Sequence, residues 1–284
     1  ELTLLTQRLD LAYRQTAARI SENEAISIIN TPTGPDLSVE RLEKIEEPPS
    51  LVALRAAVDA RLPRLDLPEL ILEMQARTGF ANLFSHASEG NARADDIAIS
   101  ICAVLVAEAT NTGFEPLIRL DTPALRRSRL SWVKQNFLRA ETLTAANAAL
   151  VAAQNAIKLA QVWGGGEVAS ADGLRFVVPV RTIHSGPNPK YFGRERGVTW
   201  YNLVSDQYSG LNAITVPGTM RDSLYLLAVV LEQETELDLR EIMTDTAGYT
   251  DTIFGVFYLL GIQFSPRIAD IGGARFWRVD GKAN

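Results

Sequence analysis

The apolar period of this chain changes at Gly164-Gly165-Gly166, and that change constrains the fold more than any other feature. Up to Trp163 the apolar residues recur at helical spacing; from Val168 onward they alternate with a period of two. An α+β fold is expected, with a helical N-terminal half followed by a mixed sheet and its flanking helices. The triple glycine follows a helix and precedes a strand. That is the reverse of the order in which a helix N-terminus receives phosphate, so it reads as a hinge and not as a phosphate loop.

Within the helical half, residues 1 to about 29 read as a helix with Leu5, Leu9, Leu11, Ala12 and Ile20 on a loose stripe. Thr31-Pro32-Thr33-Gly34-Pro35-Asp36 breaks it, a short helical piece runs from Val39 to Ile45, and Pro48-Pro49 is a second break. Residues 1–49 are therefore expected to be a helical arm or linker, and residues 50–165 a helical scaffold. Asp66, Pro68 and Gly79 mark the ends of one scaffold helix. Ala94 to Thr110, which holds the single cysteine Cys102, reads as buried. Thr122 and Pro123 open a basic helix with Leu125, Leu130, Trp132, Val133 and Phe137 inward, and an alanine-rich helix runs from about Thr144 to Val162.

Beyond the glycines, Val168–Val180, Val198–Val204 and Leu211–Val216 read as strands, the last two as a hairpin. A helix opened by Thr219 and Asp222 follows, with Leu224, Leu227, Ala228 and Leu231 as its stripe. Then come a strand ending near Asp245, an apolar helix from Asp251 to Leu260 and a strand candidate from Gln263 to Ile268. Strand, strand, strand, helix, strand, helix, strand is the order of a ribonuclease H-like sheet.

Two acids stand out in that sheet. Asp172 shares a strand face with Val168, Ser170, Leu174 and Phe176, a face expected to be buried; an acid there is costly unless a metal, proton or cation compensates it. Asp245, 73 residues on, ends its short strand. Two strand-borne aspartates are what a site for two divalent cations requires.

The net charge of −6 argues mildly against a nucleic-acid partner, but the distribution is uneven. Arg119 to Arg139 carries six basic residues against one acid, and Arg181 to Arg196 four against one. Leu231 to Asp245 carries six acids against one base. Two basic stretches flanking an acidic centre suit metal ions that meet phosphates. No apolar run approaches the roughly 20 residues of a membrane span. The lone cysteine suits a reducing compartment and precludes an intrachain disulfide. A first residue of Glu1 suggests a trimmed chain.

Four strings carry a resemblance. They are Ala169-Ser170-Ala171-Asp172-Gly173-Leu174-Arg175-Phe176, Gly186-Pro187-Asn188-Pro189-Lys190-Tyr191-Phe192-Gly193, Gly197-Val198-Thr199-Trp200-Tyr201-Asn202 and Ile242-Met243-Thr244-Asp245-Thr246-Ala247-Gly248-Tyr249. Together they resemble the catalytic-domain motifs of the Tn-three family of replicative transposases. Arg127-Ser128-Arg129-Leu130-Ser131-Trp132-Val133 and Leu138–Thr144 extend the likeness upstream.

The resemblance implies a DDE-type polynucleotidyl transferase that cuts and joins DNA strands at transposon ends during replicative transposition. Asp172 and Asp245 match the family's two aspartates, holding Mg2+, with Mn2+ as a substitute. The family's glutamate has no counterpart; Glu232, Glu234 and Glu236 precede the second aspartate. Residues 166–284 are thus expected to be a catalytic domain incomplete at its C-terminus and inactive alone. Lys190, Arg194 and Arg196 are expected to contact phosphate, with Arg126, Arg129 and His184 as further DNA candidates. Transposon-end and target DNA, a homo-oligomer in the active complex and a bacterial, nucleoid-associated cytoplasmic location follow from the same resemblance. Two other readings fit parts of the sequence: a truncated, non-catalytic DNA-binding or transposase-interacting protein, and a paired-carboxylate hydrolase such as a glycosidase. The hydrolase leaves the basic loops and strand order unexplained.

Overall fold

The computed structural model describes residues 2–32, 34–40, 44–88, 94–180, 182–218, 222–245, 248 and 250–267. The chain divides into two compact units with a boundary between Arg64 and Leu65.

The first unit holds α1 (Leu2–Ile20), the antiparallel hairpin β1 (Ile26–Thr31) and β2 (Gly34–Val39), and α2 (Pro49–Asp59). The hairpin overturns the helical reading of this stretch. Ile26, Ile28 and Ile29 are β-branched and stiff at χ1, which favours a pleated strand. Gly34 takes φ 122° at the turn, where the Thr31 hydroxyl donates to its carbonyl at 2.7 Å. Among the described residues of this unit none is buried. Its described helices and hairpin are exposed or half-buried throughout.

The second unit opens with helices. α3 (Leu67–Thr78) begins after Asp66, whose side chain makes no capping bond, and ends at Gly79 in the left-handed region, φ 67°. α4 (Ile97–Thr110) is the central helix: Ile101, Cys102, Val104 and Ala107 are buried together with Ser100, whose hydroxyl donates to the Ala124 carbonyl at 2.8 Å. Burial pushes the Cys102 thiol up to about 11, because a thiolate there would lose its solvent. α5 (Arg127–Phe137) follows a 3-10 turn at Pro123–Leu125, so the expected Thr122 cap belongs to the turn and not to the helix. α6 (Ala140–Asn155) and α7 (Lys158–Trp163) replace the single alanine-rich helix. Phe80, Phe84, Ile101, Leu130, Val133 and Phe137 form the core of this bundle.

The sheet comprises β3 (Val168–Val177), β4 (Gly186–Pro187), β5 (Arg196–Ser205), β6 (Gly210–Pro217), β7 (Glu241–Thr244) and β8 (Gln263–Pro266). The short helix α8 (Pro189–Phe192) lies between β4 and β5, α9 (Leu226–Leu231) precedes β7, and α10 (Asp251–Leu260) precedes β8. β5 pairs antiparallel with β3, β4 and β6; β3 pairs parallel with β7, and β7 parallel with β8. An antiparallel meander extended by two parallel strands is the topology that the strand order led one to expect. One face is covered: Ala169, Ala171, Tyr201, Leu203, Ile242 and Phe264 pack with Val151 of α6, Leu226 and Val229 of α9, and Ile253 and Phe257 of α10. In α9 the buried residues are Leu226, Val229 and Val230, whereas Leu224 and Leu231 are exposed. The expected stripe is displaced because Asp222–Tyr225 is a 3-10 turn, which resets the helical phase; Thr219 lies outside the described residues.

The triple glycine is a clasp and not an open hinge. Gly166 takes φ 78°, and its N–H donates to Asp206 Oδ1 at 3.0 Å. A Cβ at Gly164 would collide with the Asp206 side chain. Gln207, fully buried, donates to the Gly164 carbonyl at 3.0 Å and to Asn155 Oδ1 at 2.9 Å. The β5–β6 turn is thereby fixed to the end of the helical bundle.

Candidate functional site

The parallel ladder between β3 and β7 pairs Val168 with Glu241, Ala169 with Ile242, Ser170 with Met243 and Ala171 with Thr244. The next residues are Asp172, within β3, and Asp245, just past the end of β7. The ladder therefore brings the two aspartates to neighbouring positions at the end of β7. Both are exposed, as are Ser170 and Met243 one pleat earlier.

The expected burial of this face does not hold. Ser170, Asp172, Leu174 and Phe176 are exposed, and the buried side of β3 is its alanine side, Ala169 and Ala171. The covering helices bind through the small residues, while the larger Leu174 and Phe176, 61% and 53% exposed, stand on the open face. Cross-strand pairing adds Trp200 opposite Leu174 and half-buried Asn202 opposite Asp172. Asn202 is an oxygen donor that the sequence reading did not single out; only the register reveals it. Asp172 Oδ1 accepts from the Gly173 N–H at 2.7 Å, and the Asp245 carbonyl accepts from the Gly248 N–H at 3.2 Å. Among the described residues no group of three or more His, Cys, Asp or Glu side chains is arranged to hold a metal ion.

Residues 232–240 form an irregular segment ahead of β7. Glu232, Glu234, Glu236 and Asp238 face solvent, while Leu237 and Leu239 pack on the core. Arg240 bonds Asp238 at 3.0 Å and lies 3.5 Å from Glu167; the Asp238 bond above all holds its guanidinium protonated.

The basic candidates separate by their engagements. Arg196 donates from Nε to Ser185 Oγ at 3.4 Å and from its guanidinium to the Ser185 carbonyl, so it pins the loop before β4 to β5. Arg126 donates to the Leu120 carbonyl at 3.3 Å. Arg129 lies over the Trp132 ring, 5.6 Å from its centroid, and both line an open groove of about 410 Å³ with Arg126. Arg127 pairs with Glu115, and Lys134 with Glu108 at 2.7 Å, which neutralises part of that basic stretch. Lys190, Arg194 and His184 are exposed. Lys190 Nζ lies 4.8 Å from the Tyr191 ring centroid, and the Arg175 guanidinium 3.9 Å from it. The Arg175–Tyr191 contact went unremarked because the two residues meet only when β3 and α8 are brought together.

No helix among the described residues is long and apolar enough to cross a membrane. The family model of the Tn3 transposase DDE domain matches residues 69–284. The chain is 59% identical over 280 residues to the transposase for transposon gamma-delta of Escherichia coli (strain K12), an alignment covering 99% of this chain and 28% of that protein. It is 45% identical over 276 residues to the transposase for transposon Tn4556 of Streptomyces fradiae, covering 97% of this chain and 30% of the relative. With the transposase for transposon Tn1546 of Enterococcus faecium the identity is 35% over 244 residues, 86% of this chain and 24% of the relative. The chain thus spans less than a third of the length of these curated relatives.

Proposed function

The chain belongs to the family of Tn3 transposase DDE domains, and on that premise we propose that it supplies two metal-binding carboxylates to a site that cuts and joins DNA at transposon ends. One observation carries the proposal: where the parallel ladder of β3 and β7 ends at Ala171 and Thr244, the next residues are Asp172 and Asp245, both exposed. The family implies a divalent metal ion, and the donor set fits one. Two hard carboxylate oxygens, with the Asn202 amide opposite, suit Mg2+, with Mn2+ as a substitute. When bound in pairs, such ions activate an attacking oxygen and steady a leaving one.

The chain's own residues then divide the work. Asp172 and Asp245 hold the cation on the open face, and the register of β3 against β7 sets their spacing. Lys190 and Arg194 present charge to DNA phosphates, which position a strand without reading its sequence. Arg126 and Arg129 offer a second basic surface on the helical scaffold, residues 50–165. Arg196 supports the loop, a structural task that leaves it a weaker claim on phosphate. Residues 166–284 are the catalytic part, acting in the whole protein as a homo-oligomer on end and target DNA, in the bacterial cytoplasm at the nucleoid.

The test is a melting series in Mg2+ and in Mn2+. A cation that binds only the folded chain raises the melting temperature as its concentration rises. That rise is expected in the parent chain and lost in Asp172→Asn and in Asp245→Asn. A parent without any rise, or an equal rise in both variants, overturns the assignment.

A further inference from the structure

We propose that the groove at the start of α5, between Pro123 and Trp132, holds one unpaired nucleotide of a DNA strand; this deepens the DNA-processing reading above and rests on it. The helix decides which residues meet there. Leu130, Val133 and Phe137 of α5 are buried in the bundle. Arg126, Arg129 and Trp132, each three residues apart, fall on a neighbouring stripe. Pro123 and Ser128 complete the lining of an open space of about 410 Å³. That volume is at the small end of ligand sites, enough for one nucleotide and too little for a duplex.

The charges around the groove are sorted. Between Arg119 and Arg139, Arg127 pairs with Glu115, Lys134 with Glu108 at 2.7 Å and Arg139 with Glu141 at 3.3 Å. The two cations that line the groove, Arg126 and Arg129, have no acidic partner among the described residues. Arg126 Nε donates to the Leu120 carbonyl at 3.3 Å, a neutral acceptor that orients the guanidinium and leaves its charge. The Arg129 guanidinium lies 5.6 Å from the Trp132 ring centroid, within cation–π range. The indole is held in turn by Phe137, edge-on at 5.0 Å, and by His86 at 5.5 Å. Neither its N–H nor the Ser128 hydroxyl has a hydrogen-bond partner among the described residues. The lining is therefore donors and ring surface: two guanidiniums, a hydroxyl and an indole N–H beside the Pro123 ring and the rim of the indole, with no carboxylate. A phosphate takes the donors. The ring surface calls for a flat apolar partner, and a base offers its face only when it is out of the duplex stack. Cutting a strand makes an end whose nucleotides can leave the duplex, so the chemistry proposed for the aspartates creates this ligand.

The experiment measures, by fluorescence anisotropy at several salt concentrations, binding of the whole chain to a short labelled DNA single strand and to the duplex of the same sequence. The single strand should bind more tightly by about fivefold or more, the lower end of what an aromatic contributes per base. Trp132→Leu should lose that margin and leave duplex binding within about twofold of the parent. Arg126→Gln and Arg129→Gln should each reduce the slope of log affinity against log salt for the single strand by about 0.7. Lys134→Gln removes an equal charge that Glu108 already neutralises, so its slope should match the parent's. Trp132 packs on the bundle, so a melting curve is recorded for each variant; should Trp132→Leu fail to fold, the strand preference of the parent and the two arginine variants decide. A duplex bound as tightly as the single strand, or arginine variants with the parent's slope, overturns the groove and leaves the cation site, which has its own melting test, standing. A loss of slope in Lys134→Gln equal to that in the arginine variants also overturns it, because any surface charge would then serve. A parent chain that binds neither form at low salt overturns the groove and the DNA reading together.

Discussion

The two faces of the sheet share the same strands and differ in almost everything else. On the covered face Ala171, Leu203, Ile242 and Tyr201 are buried beneath α6, α9 and α10. On the open face the alternate residues of the same strands are Asp172, Trp200 and Met243, all exposed. The difference shows where a strand can carry an acid at little cost. A carboxylate on the covered face would surrender its hydration with no cation beside it, whereas on the open face it keeps its water. The helices thus cover one side of the sheet, and both aspartates are left exposed.

The sharpest way to break that comparison is to move the acid across the sheet. Ala171, 1% exposed, is the immediate neighbour of Asp172 on β3. Ala171→Asp should cost on the order of 3–5 kcal/mol in urea unfolding at pH 7, the usual penalty of a buried unpaired charge. Burial would raise the introduced carboxyl's pKa above its unfolded value, so it would favour the folded state only when protonated. Its penalty should therefore shrink as pH falls towards 4 and grow as pH rises. A variant within about 1 kcal/mol of the parent at pH 7 would mean that the alanine side of β3 is not packed.

A smaller effect comes from deleting apolar mass on each face in turn. Leu203 is 0% exposed, and Leu203→Ala should cost about 2–5 kcal/mol through lost burial and the cavity it leaves. Leu174 is 61% exposed, and Leu174→Ala should stay within about 0.5 kcal/mol. Equal losses in the two variants would show that something covers the open face in solution.

The same asymmetry explains what was legible in the sequence. The switch of period at Gly164–Gly166, the helix at Asp251–Leu260, the strand holding Asp172 and the parallel extension through Asp245 could all be read, because each is a local pattern. Which face of β3 is covered could not be read. Large apolar residues lie on the open side and alanines on the buried side, so hydrophobicity pointed the wrong way. Ile26–Val39 misled for a related reason: a hairpin with no buried residue among those described has no strong alternation to find. The clasp around Asp206 depends on a contact 40 residues away from Gly166, and the Arg175–Tyr191–Lys190 cluster on one between β3 and α8. Spacing along the chain cannot show such contacts.

The smallest effect is the most informative about Asp172 itself. With a chelator present and no divalent ion, Asp172→Asn should leave stability within about 0.5 kcal/mol of the parent. The side chain is exposed, and an asparagine oxygen can still accept the 2.7 Å bond from the Gly173 N–H. Removing one of two neighbouring negative charges offsets any small loss, since like charges repel weakly through water. Added Mg2+ should then separate the two proteins, stabilising the parent and leaving the variant where it was. A loss above about 1 kcal/mol in the absence of metal would contradict this, because it would show that the carboxylate holds the sheet together and is not reserved for a cation.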